Sequence, residues 1–224
     1  MGNREFHYLP WENCLQVAPG AAVKVGADGA LLPFYGNTVI FDLDDTAKAV
    51  LEQLQDRLYR RCGHFLSERL TADSFHVTLH DLLSGTDREE MLKQVTAISE
   101  EAKAAVEDAR KLVGFSMPMQ PAKLVSMVST SVVLLLEPIY DVDRFLLDRA
   151  YETLQSVVKL GYGLTPHVTL GYYRPGCIGG EDLEILADTL SELSQSLDFQ
   201  VVLRSKHLHY REFWDMNHYV DSIV

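Results

Sequence analysis

The sequence predicts an α+β fold of two related lobes. Each lobe is a small, mainly antiparallel sheet with helices outside, and the two face one another across a central cleft. Two observations carry this reading. The tetrapeptide His-Val-Thr-Leu occurs twice, at 76–79 and 167–170, with its histidines 91 positions apart (167 minus 76). Each copy closes the same succession of strand, helix and loop, at 38–79 and again at 132–170, and the first strands are offset by 94 (132 minus 38). Nearly equal offsets point to two halves related by a pseudo-two-fold, which brings identical strands face to face.

Residues 1–36 are punctuated by Pro10, Pro19, Gly20, Gly26, Gly29, Pro33 and Gly36 and are expected to be irregular. Tyr8, Trp11, Phe34 and Tyr35 make the segment too aromatic for a loose tail. It is expected to pack on a single bilobal domain spanning 37–224, plain packing being preferred over lining the cleft. Thr38–Leu43 reads as a buried strand. Asp44, Asp45 and Thr46 offer N-caps for a helix to about Cys62, with Val50, Leu54 and Leu58 at helical spacing. Gly63 suits its end.

Thr86 and Glu89 have the spacing of a capping box before a long helix whose stripe is Met91, Val95, Ile98, Ala102, Ala105 and Ala109. Met117–Pro121, with two prolines, reads as a connection. Ala122–Val128 and Ser131–Glu137 read as paired strands turning at Ser129–Thr130. Asp141 is the expected cap of a helix striped by Leu147, Tyr151, Leu154 and Val158 and ended by Gly161 and Gly163. A last helix is expected from Glu181 to Leu197, then closing strands at Phe199–Tyr210 and His218–Val224.

The chain has 224 residues, 47% hydrophobic and 23% charged, enough apolar material for a core. Its net charge is −12, from 32 acidic and 20 basic residues. A protein that grips a long phosphate backbone carries a basic face. The densest basic group here is Arg57, Arg60 and Arg61, so no extended nucleic-acid surface is expected and any phosphate partner should be small or held by one end. Cys14, Cys62 and Cys177 are odd in number and far apart, giving neither a disulfide framework nor a CxxC knuckle. The first residues lack the apolar run of a signal peptide, and Val132–Leu136 is too short to span a bilayer. The expectation is a cytoplasmic protein without membrane contact.

In a strand, side chains alternate between faces, so His76 and Thr78 share one face and His167 and Thr169 repeat the arrangement. Histidine titrates near neutrality, so one imidazole can take a proton while its partner delivers one. Threonine hydroxyls two residues on can donate to a phosphoryl oxygen. Four such groups suffice to bind a phosphodiester and displace one ester oxygen without metal or other cofactor. Either histidine can be base or acid, depending on how the substrate lies. By the same alternation His80 falls on the face of His76 and Thr78, and Tyr173 on that of His167 and Thr169, with Tyr172 opposite. These two are secondary candidates for substrate contact, although core packing is the commoner role for such a tyrosine.

The two HVT triplets, their separation and the duplicated strand–helix context resemble the 2H phosphoesterase superfamily, which includes bacterial RNA ligase-like proteins and 2′,3′-cyclic phosphodiesterases. The resemblance covers residues 37–224. It implies a bilobal α+β fold with the motifs on facing strands, and catalytic roles for His76, Thr78, His167 and Thr169. It further implies a hydrolase that uses no metal, acting on a cyclic phosphate or 2′–5′ phosphodiester of a nucleotide or RNA end. Two other classes stand beside it. One is a nucleotide or terminal-phosphate binding module without turnover. The other is a histidine metal centre at His207, His209 and His218, which lacks supporting carboxylate or cysteine spacing. There is no Gly-rich phosphate loop, GxSxG elbow or HExxH helix.

Overall fold

A computed structural model describes residues 6–7 and 14–223. Tyr8 and Trp11 lie outside the described residues. In chain order the elements are β1 (Phe6–His7), β2 (Cys14–Gln16), α1 (Pro19–Ala22), β3 (Tyr35–Asp42), α2 (Asp45–Cys62), β4 (His76–Gly85), α3 (Arg88–Leu112) and β5 (Met117–Met127). There follow β6 (Ser131–Pro138), α4 (Asp141–Leu154), β7 (His167–Tyr172), β8 (Cys177–Gly179), α5 (Glu181–Gln195), β9 (Val201–Leu203), β10 (Leu208–Asp215) and β11 (His218–Val220).

The fold is α+β, with two principal antiparallel sheets. One runs β11-β10-β3-β4. The other runs β1-β5-β6-β7, with β9 also pairing β5. Each HVT strand is thus an edge strand beside the first strand of its own unit. The registers repeat: Ile40 faces Thr78 and Asp42 faces His76, as Val133 faces Thr169 and Leu135 faces His167. The helices cross over between halves. Helix α2, from the first half, packs beside α5 against the second sheet, while α4 packs beside α3 against the first. One contiguous core results, including Phe41 and Leu79 of the first sheet, Leu134 and Leu170 of the second, and Leu51, Leu58 and Leu190 of the helices.

Helix α2 starts as its acidic run predicts: Asp44 accepts from the Ala47 backbone N–H at 3.0 Å. Elsewhere local chemistry differs from the sequence expectation. The cap of α3 is Asp87, accepting from Glu90 N–H at 3.0 Å, in place of a Thr86–Glu89 box. Tyr140 is the N-cap of α4, with Asp141 in its first turn, and that helix already ends at Leu154. Met117–Pro121 is strand, since Met117 and Met119 pair with Leu203 and Val201, and Pro121 sits beside a register shift, where its missing N–H is tolerated.

The cysteines require a correction. Cys14 and Cys177 form a disulfide, their Cα atoms 6.0 Å apart on the paired strands β2 and β8. Their separation of 163 residues hid this from spacing arguments. Cys62 is free and buried. No described helix is long and apolar enough to cross a membrane.

Candidate active site

Strands β4 and β7 wall one cavity of about 900 Å³, and His76, Thr78, His167 and Thr169 all line it. Both histidines are held alike. His76 donates from Nδ1 to the carbonyl of Ser74 at 2.7 Å. His167 donates from Nδ1 to the carbonyl of Thr165, also at 2.7 Å. A carbonyl only accepts, so Nδ1 carries the hydrogen, and in the neutral ring the lone pair falls on Nε2. The two halves therefore orient two imidazoles by the same two-residue backbone loop.

Their surroundings differ. Across the strand pair His76 meets Asp42, which Arg211 holds at 2.6 Å, whereas His167 meets Leu135. Tyr219 packs edge-on against His76, ring centres 4.6 Å apart. Burial holds the His76 imidazole below its ordinary pKa, outweighing the opposing hydrogen bond from Ser74 and the charges of Asp42 and Asp81.

His80 and Tyr173 do not face this cavity, because each HVT strand carries a β-bulge immediately after its threonine. In β4, Thr78 pairs with Ile40 and His80 with the adjacent Val39, leaving Leu79 as the extra residue. In β7, Thr169 pairs with Val133 and Gly171 with Val132, leaving Leu170 extra. A bulge inserts one residue and reverses the alternation beyond it. His80 therefore turns inward, 1% exposed, against Tyr151 at 4.9 Å. Its two ring nitrogens find no hydrogen-bond partner, and burial lowers its pKa. Tyr173 is likewise wholly buried in the core.

The residues one step along take their places: Asp81 and Tyr172 line the cavity. Asp81 accepts from the Tyr162 hydroxyl at 2.7 Å. The Tyr172 hydroxyl lies 3.2 Å from the Met216 sulfur, a weak acceptor, and burial raises its pKa so that it stays a neutral donor. Each bulge exposes backbone that buried side chains satisfy. Gln55 donates to the Leu170 carbonyl at 3.0 Å, and the Thr38 hydroxyl donates to the His80 carbonyl at 3.1 Å. Gly171 fits because a Cβ there would meet the Tyr59 hydroxyl at 2.6 Å.

The segment before β3, expected only to pack, also contributes wall. Gly20, Val23, Lys24 and Phe34 line the cavity. The Lys24 ammonium sits 5.1 Å from the Phe34 ring centre and 5.2 Å from that of Tyr172. Periodicity could not find Lys24, because the segment has no regular element to give it a face.

The C-terminal histidines do not converge. His209 lies between Arg110, 3.2 Å away, and Asp42, 3.8 Å away, while His218 pairs with Asp215 and stacks on Trp214. Among the described residues no group of three or more His, Cys, Asp or Glu is arranged to hold a metal ion.

No protein-family sequence model matches the chain, and no curated protein matches it. Among solved structures, a conserved protein of unknown function from Agrobacterium tumefaciens shares the fold, with a TM-score of 0.66 and 18% identity over 93% of both chains. LigT of E. coli in apo form is similar at a TM-score of 0.40 and 14% identity, over 84% of this chain and 95% of its own. Usb1 of Kluyveromyces marxianus is similar at 0.39 and 13% identity, over 80% of this chain and 97% of its own. At these identities the first likeness speaks to fold only, and the argument about chemistry rests on the cavity.

Proposed function

We propose that this protein is a phosphoesterase of the 2H type, hydrolysing a cyclic phosphate or a 2′–5′ phosphodiester of a nucleotide or RNA end by two-histidine acid–base catalysis. The observation that carries the reading is the matched pair of Nδ1-anchored imidazoles in one cavity, each with a threonine two residues further along its strand.

The depressed pKa of His76 makes it the neutral partner at pH 7, and we assign it the base. Its Nε2 takes a proton from water as the water oxygen attacks phosphorus. The P–O bond to the leaving ribose oxygen breaks, and protonated His167 delivers a proton to that oxygen. A cyclic phosphodiester thereby becomes a phosphomonoester. Thr78 and Thr169 donate to the non-bridging oxygens, where hydrogen bonds to a charged group are worth about 1.5–3 kcal/mol each. The test is a screen of the purified protein against 2′,3′-cyclic nucleotides and 2′–5′ dinucleotides with EDTA present. Turnover that survives EDTA and vanishes in His76→Ala supports the reading. Saturable binding with no product from any of them would replace it with a binding module.

A further inference from the structure

The cavity is far larger than a phosphate, and its walls are sparsely charged. Apart from the two histidines, the described residues that line it include one cation, Lys24, and one carboxylate, Asp81. Much of the rest is apolar or aromatic, with Phe34, Phe213, Met127, Met216, Tyr172 and Tyr219 among the lining residues. Phe34 and Phe213 stack with ring centres 6.1 Å apart, and Phe213 continues to Tyr219 at 5.4 Å. This aromatic row leads to His76, against which Tyr219 packs.

Resting on the phosphoesterase reading, we propose that the site selects a singly charged phosphodiester bearing a bulky uncharged group, and that Asp81 excludes ligands with a second phosphate. The charge arithmetic carries this. A phosphodiester brings one negative charge, which Lys24 balances from its place on the aromatic wall. A further phosphate has no second lysine or arginine among the lining residues, and it meets the carboxylate of Asp81 in a partly dehydrated space where like charges repel more strongly than in water. The −12 net charge of the chain disfavours approach of a polyanion as well. Asp81 keeps an acceptor role that suits an uncharged donor, such as a hydroxyl or amine on the ligand, beside the phenol of Tyr162. The aromatic row offers flat apolar surface to the remainder.

A matched pair of probes tests this: adenosine 2′,3′-cyclic phosphate and the same compound carrying a 5′-phosphate. Turnover is measured on the wild-type protein, and binding is measured by calorimetry on His76→Ala, so that affinity is read without hydrolysis. The 5′-phosphate is expected to weaken binding at least tenfold. Asp81→Asn should narrow that gap severalfold while leaving the singly charged probe little changed, and Lys24→Met should weaken both probes. Circular dichroism checks that each variant is folded, and Tyr162→Phe, which frees Asp81 from one donor, gives a second route to a change in selectivity. Tighter or equal binding of the 5′-phosphorylated probe overturns the proposal even if both are hydrolysed, in which case the phosphoesterase reading survives. Selective binding of the singly charged probe without turnover supports the proposal and removes the phosphoesterase reading. Failure of both probes to bind at millimolar concentration overturns the proposal.

Discussion

At His76 and His167 one hydrogen bond each decides the chemistry, because the carbonyls of Ser74 and Thr165 fix which ring nitrogen carries the hydrogen. Replacing either ring by alanine should lower turnover roughly 10²–10⁴-fold, the span for a positioned acid or base. The double variant should be little worse than either single one, since the two act as a unit. Thr78→Val and Thr169→Val remove a hydrogen bond but no proton transfer, and should cost less. Steady-state kinetics on a substrate from the screen decides, and full activity in either alanine variant would sink the assignment. The pH profile should be bell-shaped, with its acid limb below the ordinary histidine value of 6.5, because burial depresses His76 and the base must be neutral. His80 makes a separate prediction about stability. Its folded-state pKa lies below 6.5, so the unfolded chain takes up the proton first as pH falls, and stability present above that pH is lost below it. Urea midpoints of the wild type should therefore drop between pH 7.5 and 5.5, and by less in His80→Phe. An unchanged drop in the variant would show that His80 does not contribute.

At the scale of elements the twin bulges are the decisive feature, and they mark where the sequence stops being legible. Both HVT motifs, the helix between each strand pair and the stripe facing the core can be read from residue type and period, because burial imposes that period. A bulge leaves no such trace: Leu79 and Leu170 look like ordinary strand residues, and only the pairing with Val39–Ile40 and Val132–Val133 reveals them. That one-residue slip exchanges His80 for Asp81 and Tyr173 for Tyr172 at the cavity. Gln55 donates to the carbonyls of Leu70 and Leu170, both at 3.0 Å. Gln55→Leu should destabilise by about 1–3 kcal/mol for each buried carbonyl left without a donor. It should also reduce activity through the second motif, whereas a loss of stability alone would deny the bulge a role in placing Thr169. The turn joining β5 to β6 also carries strain, for Val128 and Ser129 both have positive φ, 43° and 55°. Such a turn prefers Asn-Gly. Replacing Val128-Ser129 by Asn-Gly should stabilise the fold by about 1 kcal/mol, given a cost of roughly 1–2 kcal/mol per residue for the left-handed region. Chemical denaturation measures it, and no gain would mean that Val128 offsets the strain through its packing at the cavity rim.

Over the whole molecule, the segment before β3 joins the rest through a link that composition obscures. Its backbone pairs from β2 to β8, Val17 N–H donates to the Gly176 carbonyl, and Ala18 N–H to that of Ser129, each at 2.9 Å. The Cys14–Cys177 disulfide locks this pairing across 163 residues. Since the same segment brings Lys24 and Phe34 to the cavity, the disulfide supports the wall opposite the histidines. A link of this kind persists in an oxidising compartment and is opposed in a reducing one, which sets it against the cytoplasmic setting expected from cysteine number alone. Cross-links closing long loops stabilise by about 2–4 kcal/mol. Reduction, or Cys14→Ser with Cys177→Ser, should lower the urea midpoint accordingly. It should also raise KM more than it lowers kcat, because Lys24 and Phe34 lose their anchor while the two HVT strands keep theirs. Thiol titration in denaturant gives the direct check, with one reactive thiol before reduction, from Cys62, and three after it. Three thiols before reduction, together with an unchanged midpoint on adding reductant, would show that backbone pairing alone holds the segment in place.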